Sequence, residues 1–249
     1  MPSPSPTLSS PRIRRSQERG HQDLGWSVNR MTFSFAEYYD PDWMHFGPLR
    51  VLIESEIEPH SGFDAHPHRD VEIVSYITSG VLRHTDSRGG SADISAGEMQ
   101  LISAGHDGMI HSETNPLDRP ETHYQMWFIP DQPHTDFAYH QLNRSPEERD
   151  GALCLYVSPD GRKDSMPINT DAFVYAGEFD QREPLSYPLR PGRGVWIQVV
   201  EGHLSVRDIS LKEGDGAGFT APSELTLSME EETEVLLVDV RMDAPRIGE

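Results

Sequence analysis

The feature that most restricts the fold of this chain is its punctuation. From Leu49 onward, short runs rich in β-branched and aromatic residues alternate with turn signals: Ser79-Gly80, Gly89-Gly90, Ala96-Gly97, Asp160-Gly161, Glu201-Gly202 and Gly214-Asp215-Gly216. Short strands at this turn-rich spacing point away from alternating strand–helix–strand units. Candidate strands are Leu49–Ile57, Val71–Thr78, Glu98–Ile102, His123–Ile129, Leu153–Val157, Ala172–Ala176, Val195–Val200, Leu204–Asp208, Leu225–Met229 and Glu234–Val240. Only Ser145–Arg149, entered through Ser-Pro, reads as a helical turn. The expected class is all-β, built from barrels or sandwiches.

The two halves echo each other. Tyr76-Ile77-Thr78-Ser79-Gly80-Val81-Leu82, followed by Ser95-Ala96-Gly97-Glu98, is matched by Val199-Val200-Glu201-Gly202-His203-Leu204, followed by Lys212-Glu213-Gly214-Asp215. Two tandem barrels explain the echo, with the junction between Pro130 and Asp150, where the chain is polar and contains proline. Before them, residues 1–16 carry prolines, serines and the Arg12, Arg14, Arg15 cluster but almost no large apolar side chain; a disordered tail is expected there. It lacks the apolar segment of a secretory leader, and a cytoplasmic protein is expected.

Charge narrows the partners. With 21 Lys and Arg against 41 Asp and Glu, the formal net charge is −20, which disfavours contact with nucleic-acid phosphates. No apolar run is long enough for a membrane helix. Cys154 is the single cysteine, so disulfides within the chain and cysteine-based zinc sites are excluded, and its apolar setting suits a small buried hydrophobe.

The 12 histidines matter through their spacing. In Gly62-Phe63-Asp64-Ala65-His66-Pro67-His68, positions 66 and 68 fall on one face of a strand, about 6.6 Å apart along it. His111-Ser112-Glu113 repeats the arrangement with one imidazole and one carboxylate. If these two strands are neighbours, three nitrogens and one oxygen converge. Such a set suits Fe(II), Mn, Ni, Co, Cu or Zn and leaves positions for substrate or water. Glu72 shares the parity of His66 and His68 and would face inward if the strand ran unbroken. His60, His84, His106 and His123 lack paired spacing and are expected at the surface or in hydrogen bonds. His203 stands alone in the second half, which is therefore expected to be metal-free.

These segments resemble the paired motifs of the cupin superfamily. Gly62, His66, His68, Glu72 and Gly80 follow the first motif loosely; Gly97, Gly105, His111 and Asn115 follow the second, with Ser103 where proline is usual. More narrowly, the chain resembles the pirins. Arg19-Gly20-His21, Gly25-Trp26, Thr32-Phe33-Ser34-Phe35, Tyr39-Asp40-Pro41, Leu49-Arg50-Val51, Gly62-Phe63, His66-Pro67-His68 and His111-Ser112-Glu113 are similar to that family's N-terminal domain. Val195-Trp196-Ile197-Gln198-Val199-Val200 and Glu234-Val235-Leu236-Leu237 are similar to the C-terminal domain of its bacterial members, so the likeness runs from about Arg19 to Val240.

The resemblance implies two tandem cupin barrels of jelly-roll type: a metal-binding domain over 17–135 and a metal-free one over 150–243. The ligands it implies are His66, His68, His111 and Glu113 on one divalent transition metal per chain, Fe(II) first and Ni, Mn, Co, Cu or Zn as alternatives. Glu72, a ligand in many other cupins, becomes a nearby polar residue. The stretch Ala104–His111 looks one residue longer than the usual pirin turn, an extra residue expected either to reshape the pocket edge or to bring His106 near the metal while leaving the His111–Glu113 pair intact. Bacterial pirins resemble quercetin 2,3-dioxygenases, which open the flavonol ring with O2 and release carbon monoxide. In that reading the partners are a phenolic substrate and O2, and Glu113 is either ligand and proton acceptor or ligand alone. The other function the family offers is non-enzymatic: a metal-dependent regulator that binds a protein partner. Trp26, Phe33, Phe35, Tyr38 and Tyr39 are expected to pack beneath the barrel, Arg69-Asp70 to form an exposed ion pair, and Tyr124, Met126 and Phe128 to face opposite to Gln125, Trp127 and Ile129.

Overall fold

The computed structural model describes residues 10–180 and 184–243. The first half contains strands β1 (Arg12–Arg14), β2 (Gly20–Asp23), β3 (Ser27–Met31), β4 (Leu49–Ile57), β5 (Gly62–His68) and β6 (Glu72–Ser79). It continues with β7 (Val81–Asp86), β8 (Ser91–Ser95), β9 (Glu98–Ser103), β10 (Met109–Thr114), β11 (Glu121–Phe128) and β12 (Ala138–Asn143). A single helical turn, α1 (Pro146–Arg149), is capped by Ser145 and leads into the second half. There follow β13 (Cys154–Ser158), β14 (Met166–Pro167), β15 (Ala172–Phe179), β16 (Leu185–Leu189) and β17 (Arg193–Glu201). The last strands are β18 (His203–Val206), β19 (Ile209–Lys212), β20 (Gly216–Phe219), β21 (Ser223–Met229) and β22 (Thr233–Arg241). No helix among the described residues is long and apolar enough to cross a membrane.

Each half pairs a seven-stranded sheet with a four-stranded one, as two cupin barrels require. The short sheets run β5-β10-β7-β8 and β16-β21-β18-β19; the long ones run β12-β9-β6-β11-β4-β3-β2 and β1-β20-β17-β22-β15-β13-β14. The short sheets correspond strand for strand, and so do the central four strands of the long ones. At the edge, β1 takes in the second long sheet the place that β12 takes in the first.

The two long sheets pack face to face. Alternate residues of their central strands enter a shared core: Tyr76, Met126 and Phe128 from one side, Tyr156, Val174, Trp196, Leu236 and Val238 from the other. The opposite parity, with Val195, Ile197, Val235 and Leu237, fills the second barrel. Burial on both faces explains why 195–200 and 235–238 read as nearly continuous apolar runs. Trp196 is fully buried against Phe33, Trp43 and Phe46 of the first half, with ring centroids 5.2, 6.1 and 5.6 Å away. Trp196→Ala should therefore destabilise the chain by about 3–5 kcal/mol, and urea denaturation should show one transition because the halves share this core.

Two expectations need correction. The tail expected over 1–16 is structured from Arg12, although residues 1–9 lie outside the described residues. Arg12–Arg14 pair with Gly216–Gly218, and the Arg12 and Arg14 guanidiniums each lie 4.6 Å from the Trp43 ring centroid. Arg14 also bonds Tyr38 and Asp40. Composition predicted disorder because these arginines find their partners more than twenty residues away. Likewise, the polar stretch 136–149 contributes edge strand β12, paired with β9 from Ala138↔Ser103 to Asn143↔Glu98. Edge strands are half solvated and lack a strong apolar pattern.

Candidate metal centre

Strand β5 has β10 as its antiparallel partner, with His66 directly opposite His111 and His68 opposite Met109. A register shift between His111 and Glu113 brings Glu113 opposite Phe63. The close approach depends on Gly62, where a Cβ would lie 2.3 Å from the Glu113 carbonyl oxygen and 2.5 Å from the Thr114 Cα. The His66 and His111 rings are 4.5 Å apart, and His68 is 4.8 Å from each. All three present ligand nitrogens within 4.8 Å of one another, the one such group among the described residues.

The donor chemistry fits a divalent transition metal. The Nε2 atoms of His66 and His111 are 3.0 Å apart, the separation of two neighbouring nitrogen ligands at about 2.1 Å from one ion. His66 Nδ1 lies 2.7 Å from the Asp64 carbonyl oxygen, which fixes the tautomer that leaves Nε2 free to ligate. Burial, reinforced by the neighbouring imidazoles, lowers the His68 pKa to about 4. Burial also brings His111 to about 4, against the opposing pull of Glu113. Both rings are thus neutral at physiological pH, the state a metal requires.

A pH prediction follows from the same shifts. Unfolded, these histidines take up protons below 6.5; folded, they resist until about 4. The unfolded state binds more protons in that window, so the stability that these two imidazoles contribute to the metal-free protein should be fully present above pH 6.5 and be lost as the pH falls toward 4. Urea midpoints measured across pH 4–7 check the sign; bound metal should deepen the loss, because acid also displaces it.

Glu113 occupies the same cavity but stands outside the three-histidine group. Gln100 Nε2 donates to its Oε1 at 3.0 Å and Gln125 Nε2 to its Oε2 at 2.9 Å. Trp127 Nε1 in turn donates to Gln125 Oε1 at 2.7 Å. Burial acts to raise the Glu113 pKa, but His111, His123 and the Gln125 hydrogen bond outweigh it and hold the carboxyl below its ordinary range. Below Gln125 on the same face of β11, His123 is buried with Glu121, whose oxygens lie 3.0 and 3.1 Å from its Nδ1. Burial opposes its charge, yet Glu121 and then Glu113 raise its pKa above 6.5.

The cavity, about 260 Å³, is mainly apolar: Met31, Phe35, Ile53, Phe63 and Trp127 line it beside His66, His68, Glu113 and Gln125. The β11 alternation is thereby resolved, with Gln125 and Trp127 inside the barrel. Phe35 lines the cavity against Trp127 rather than packing beneath the barrel, and Tyr39 is 72% exposed.

Glu72 is not at the centre. The chain turns between β5 and β6 through Asp70 at φ 53°, and β6 lies in the other sheet. Glu72 is fully buried between the halves, accepting from Ser103 Oγ at 2.7 Å and Asn169 Nδ2 at 3.1 Å. His106 does not join the centre either; it is exposed beside Asp70 and His134. His84 is fully buried with Asp86, 2.8 Å away, and its ring centroid is 5.4 Å from that of His111. Arg69 and Asp70 form the expected exposed ion pair. Cys154 is only partly buried and donates to the Glu148 carbonyl.

The second barrel carries different chemistry at the corresponding places. Where β5 and β10 set His66 against His111, β16 and β21 set Tyr187 against Leu225 and Leu185 against Leu227. His203 bonds Ser210 instead. Gln100 and Gln125 were not singled out from sequence, though each is an amide inside an apolar strand (Met99-Gln100-Leu101 and Tyr124-Gln125-Met126), a usable signal of an inward polar role.

Two barrels, one with a three-imidazole centre and one without among the described residues, define a two-domain cupin with one histidine cluster suited to a metal. Residues 12–128 match the pirin family model, and residues 155–240 match that of the quercetinase C-terminal cupin domain. The chain belongs to the pirin family. It is 36% identical over 229 residues to a quercetin 2,3-dioxygenase of Escherichia coli, covering 92% of this chain and 97% of that one. A pirin-like protein of Caulobacter vibrioides is 33% identical over 221 residues, covering 88% and 95%. The crystal structure of the bacterial pirin YhhW from E. coli in complex with nickel(II) is similar at a TM-score of 0.88 and 34% identity, covering 93% of this chain and 99% of that chain.

Proposed function

We propose that this protein is a metal-dependent dioxygenase that opens flavonols such as quercetin, or a related phenol, with O2. The observation that carries the reading is the convergence of three imidazoles on an apolar, aromatic-lined cavity that also holds a buried carboxylate. His66, His68 and His111 hold one divalent ion, with Glu113 as the fourth ligand. Fe(II) is our choice for the resident ion, and nickel(II) is the ion named with the similar E. coli pirin. When bound, the metal stabilises a deprotonated substrate oxygen and gives O2 a redox partner.

The remaining work falls to the chain. Phe35, Phe63 and Trp127 give a flat ring an apolar slot and keep water from it. Glu113, ionised at neutral pH, accepts the proton of the flavonol 3-hydroxyl. Gln100 and Gln125 hold each Glu113 oxygen in place before substrate arrives, and Trp127 anchors Gln125. Metal-loaded protein should bleach the long-wavelength absorbance of quercetin with one O2 consumed and one carbon monoxide released per flavonol. Oxygen uptake no greater than that of the free ion, across several flavonols and metals, would return the protein to the regulator reading.

A further inference from the structure

The cavity has a second polar end. Adjacent strands align Ser55 of β4 with Asn29 of β3, and Asn29 with Gln22 of β2. All three side chains line the cavity. Their hydrogen bonds run in one direction. Ser55 Oγ donates to Asn29 Oδ1 at 2.8 Å, Ser27 Oγ donates to the same oxygen at 3.2 Å, and Asn29 Nδ2 donates to Gln22 Oε1 at 3.3 Å. Accepting from Asn29 turns the Gln22 oxygen toward the row and leaves its amide N–H groups to offer. Ser55 and Asn29 are buried and Gln22 is half-buried, so the row is a fixed cavity wall ending in a donor.

The row starts next to β11, where Ser55 lies opposite His123, and only its Gln22 end is remote from the metal-side carboxylate. Gln125, which holds Glu113, is on β11, and β4, β3 and β2 follow it in the sheet. Three strand spacings put β2 about 14 Å from β11. Beside the polar row, level with Gln125, the wall is Ile53 and Met31, against which Phe35 and Trp127 pack. A flat ring system lying on the Ile53–Met31 row can place one oxygen on the metal side and a second beside the Gln22 amide. Glu113 is the one acidic side chain in the lining, and no Arg or Lys is present, so the far oxygen is a hydroxyl rather than a carboxylate or phosphate.

We propose that Gln22, oriented by Asn29 and Ser55, is a specificity-determining residue that donates to a remote hydroxyl oxygen of the substrate. Phenols hydroxylated on a ring distant from the metal-binding oxygen are thereby selected over those without one. The proposal rests on the dioxygenase reading for the orientation of the ligand, but its test is binding, which needs no turnover.

Isothermal titration of the metal-loaded full chain under argon would compare quercetin, galangin and 3-hydroxyflavone. Quercetin has hydroxyls on both outer rings, galangin on one, and 3-hydroxyflavone on neither. Gln22→Leu should raise the Kd for quercetin roughly tenfold, as expected for losing one buried hydrogen bond, and leave that for 3-hydroxyflavone unchanged. Galangin shows which ring is read by following one or the other. Gln22→Met, which keeps the length of the side chain, should reproduce the effect, and an unchanged melting temperature for either variant confirms that the wall is intact. Equal changes for quercetin and 3-hydroxyflavone, no change for quercetin, or no binding of any of the three to wild type overturns the proposal. Selective binding without oxygen uptake leaves the proposal standing and removes the dioxygenase reading, so the two failures are distinct.

Discussion

His111→Ala should leave the chain folded and nearly free of metal. His111 is the buried member of the cluster, and its Nε2 is 3.0 Å from that of His66. Without it, the proposed set is reduced to Glu113 and two nitrogens carried by a single strand, His66 and His68. Losing an outer-shell partner of a metal ligand typically costs 10–100-fold in affinity; losing the ligand itself should exceed roughly a hundredfold. The fold should tolerate the change, because the metal-free protein no longer holds a buried imidazole with an unpartnered Nδ1. Metal analysis of protein purified from iron-supplemented cells, with circular dichroism as the fold control, measures both effects. His66→Ala and His68→Ala should behave alike. Wild-type stoichiometry and affinity in any of the three would show that the ion is held elsewhere.

The second large effect belongs to Glu113. Glu113→Gln keeps the volume of the side chain and an oxygen able to ligate, so part of the metal should remain. An amide cannot take the substrate proton, and turnover per bound metal should fall by roughly 10² to 10⁴, the range typical of a general base. One Glu113 oxygen is also replaced by an N–H group facing a glutamine donor, so the pocket must rearrange. Normalising turnover to metal content separates proton transfer from ligation: a loss that merely tracks metal content would make Glu113 a ligand alone. Glu72→Gln is the control. Its contacts are Ser103 and Asn169 at the junction of the halves, so metal content should stay at the wild-type level. A variant that loses metal through Glu72 while Glu113→Gln keeps it would exchange the roles of the two acids.

The all-β class was legible in the sequence because it depends on local chemistry. Glycine turns and β-branched runs act over a few residues, and the matching turn series in the two halves revealed the tandem barrels. His66 and His68 were readable for the same reason: a spacing of two on a strand fixes a common face without reference to the rest of the chain. The pair at His111 and Glu113 followed the same rule.

What the sequence left open required pairing between distant segments. The position of His111 opposite His66 comes from the β5–β10 register and from the close approach that Gly62 permits. Parity placed Glu72 with the histidines, but parity holds only while a strand continues, and the turn at Asp70 ended it. Arg12 and Arg14 read as a solvated tail until the second barrel supplied β20 as a strand partner and Trp43 a ring for both guanidiniums. Gln22, Asn29 and Ser55 are ordinary polar residues in sequence; three neighbouring strands make them one hydrogen-bonded row. The sequence by itself thus determined the turns, the strand faces and the ligand types. Only the tertiary structure decided which faces meet, because sheet register and barrel closure depend on contacts between residues far apart in the chain.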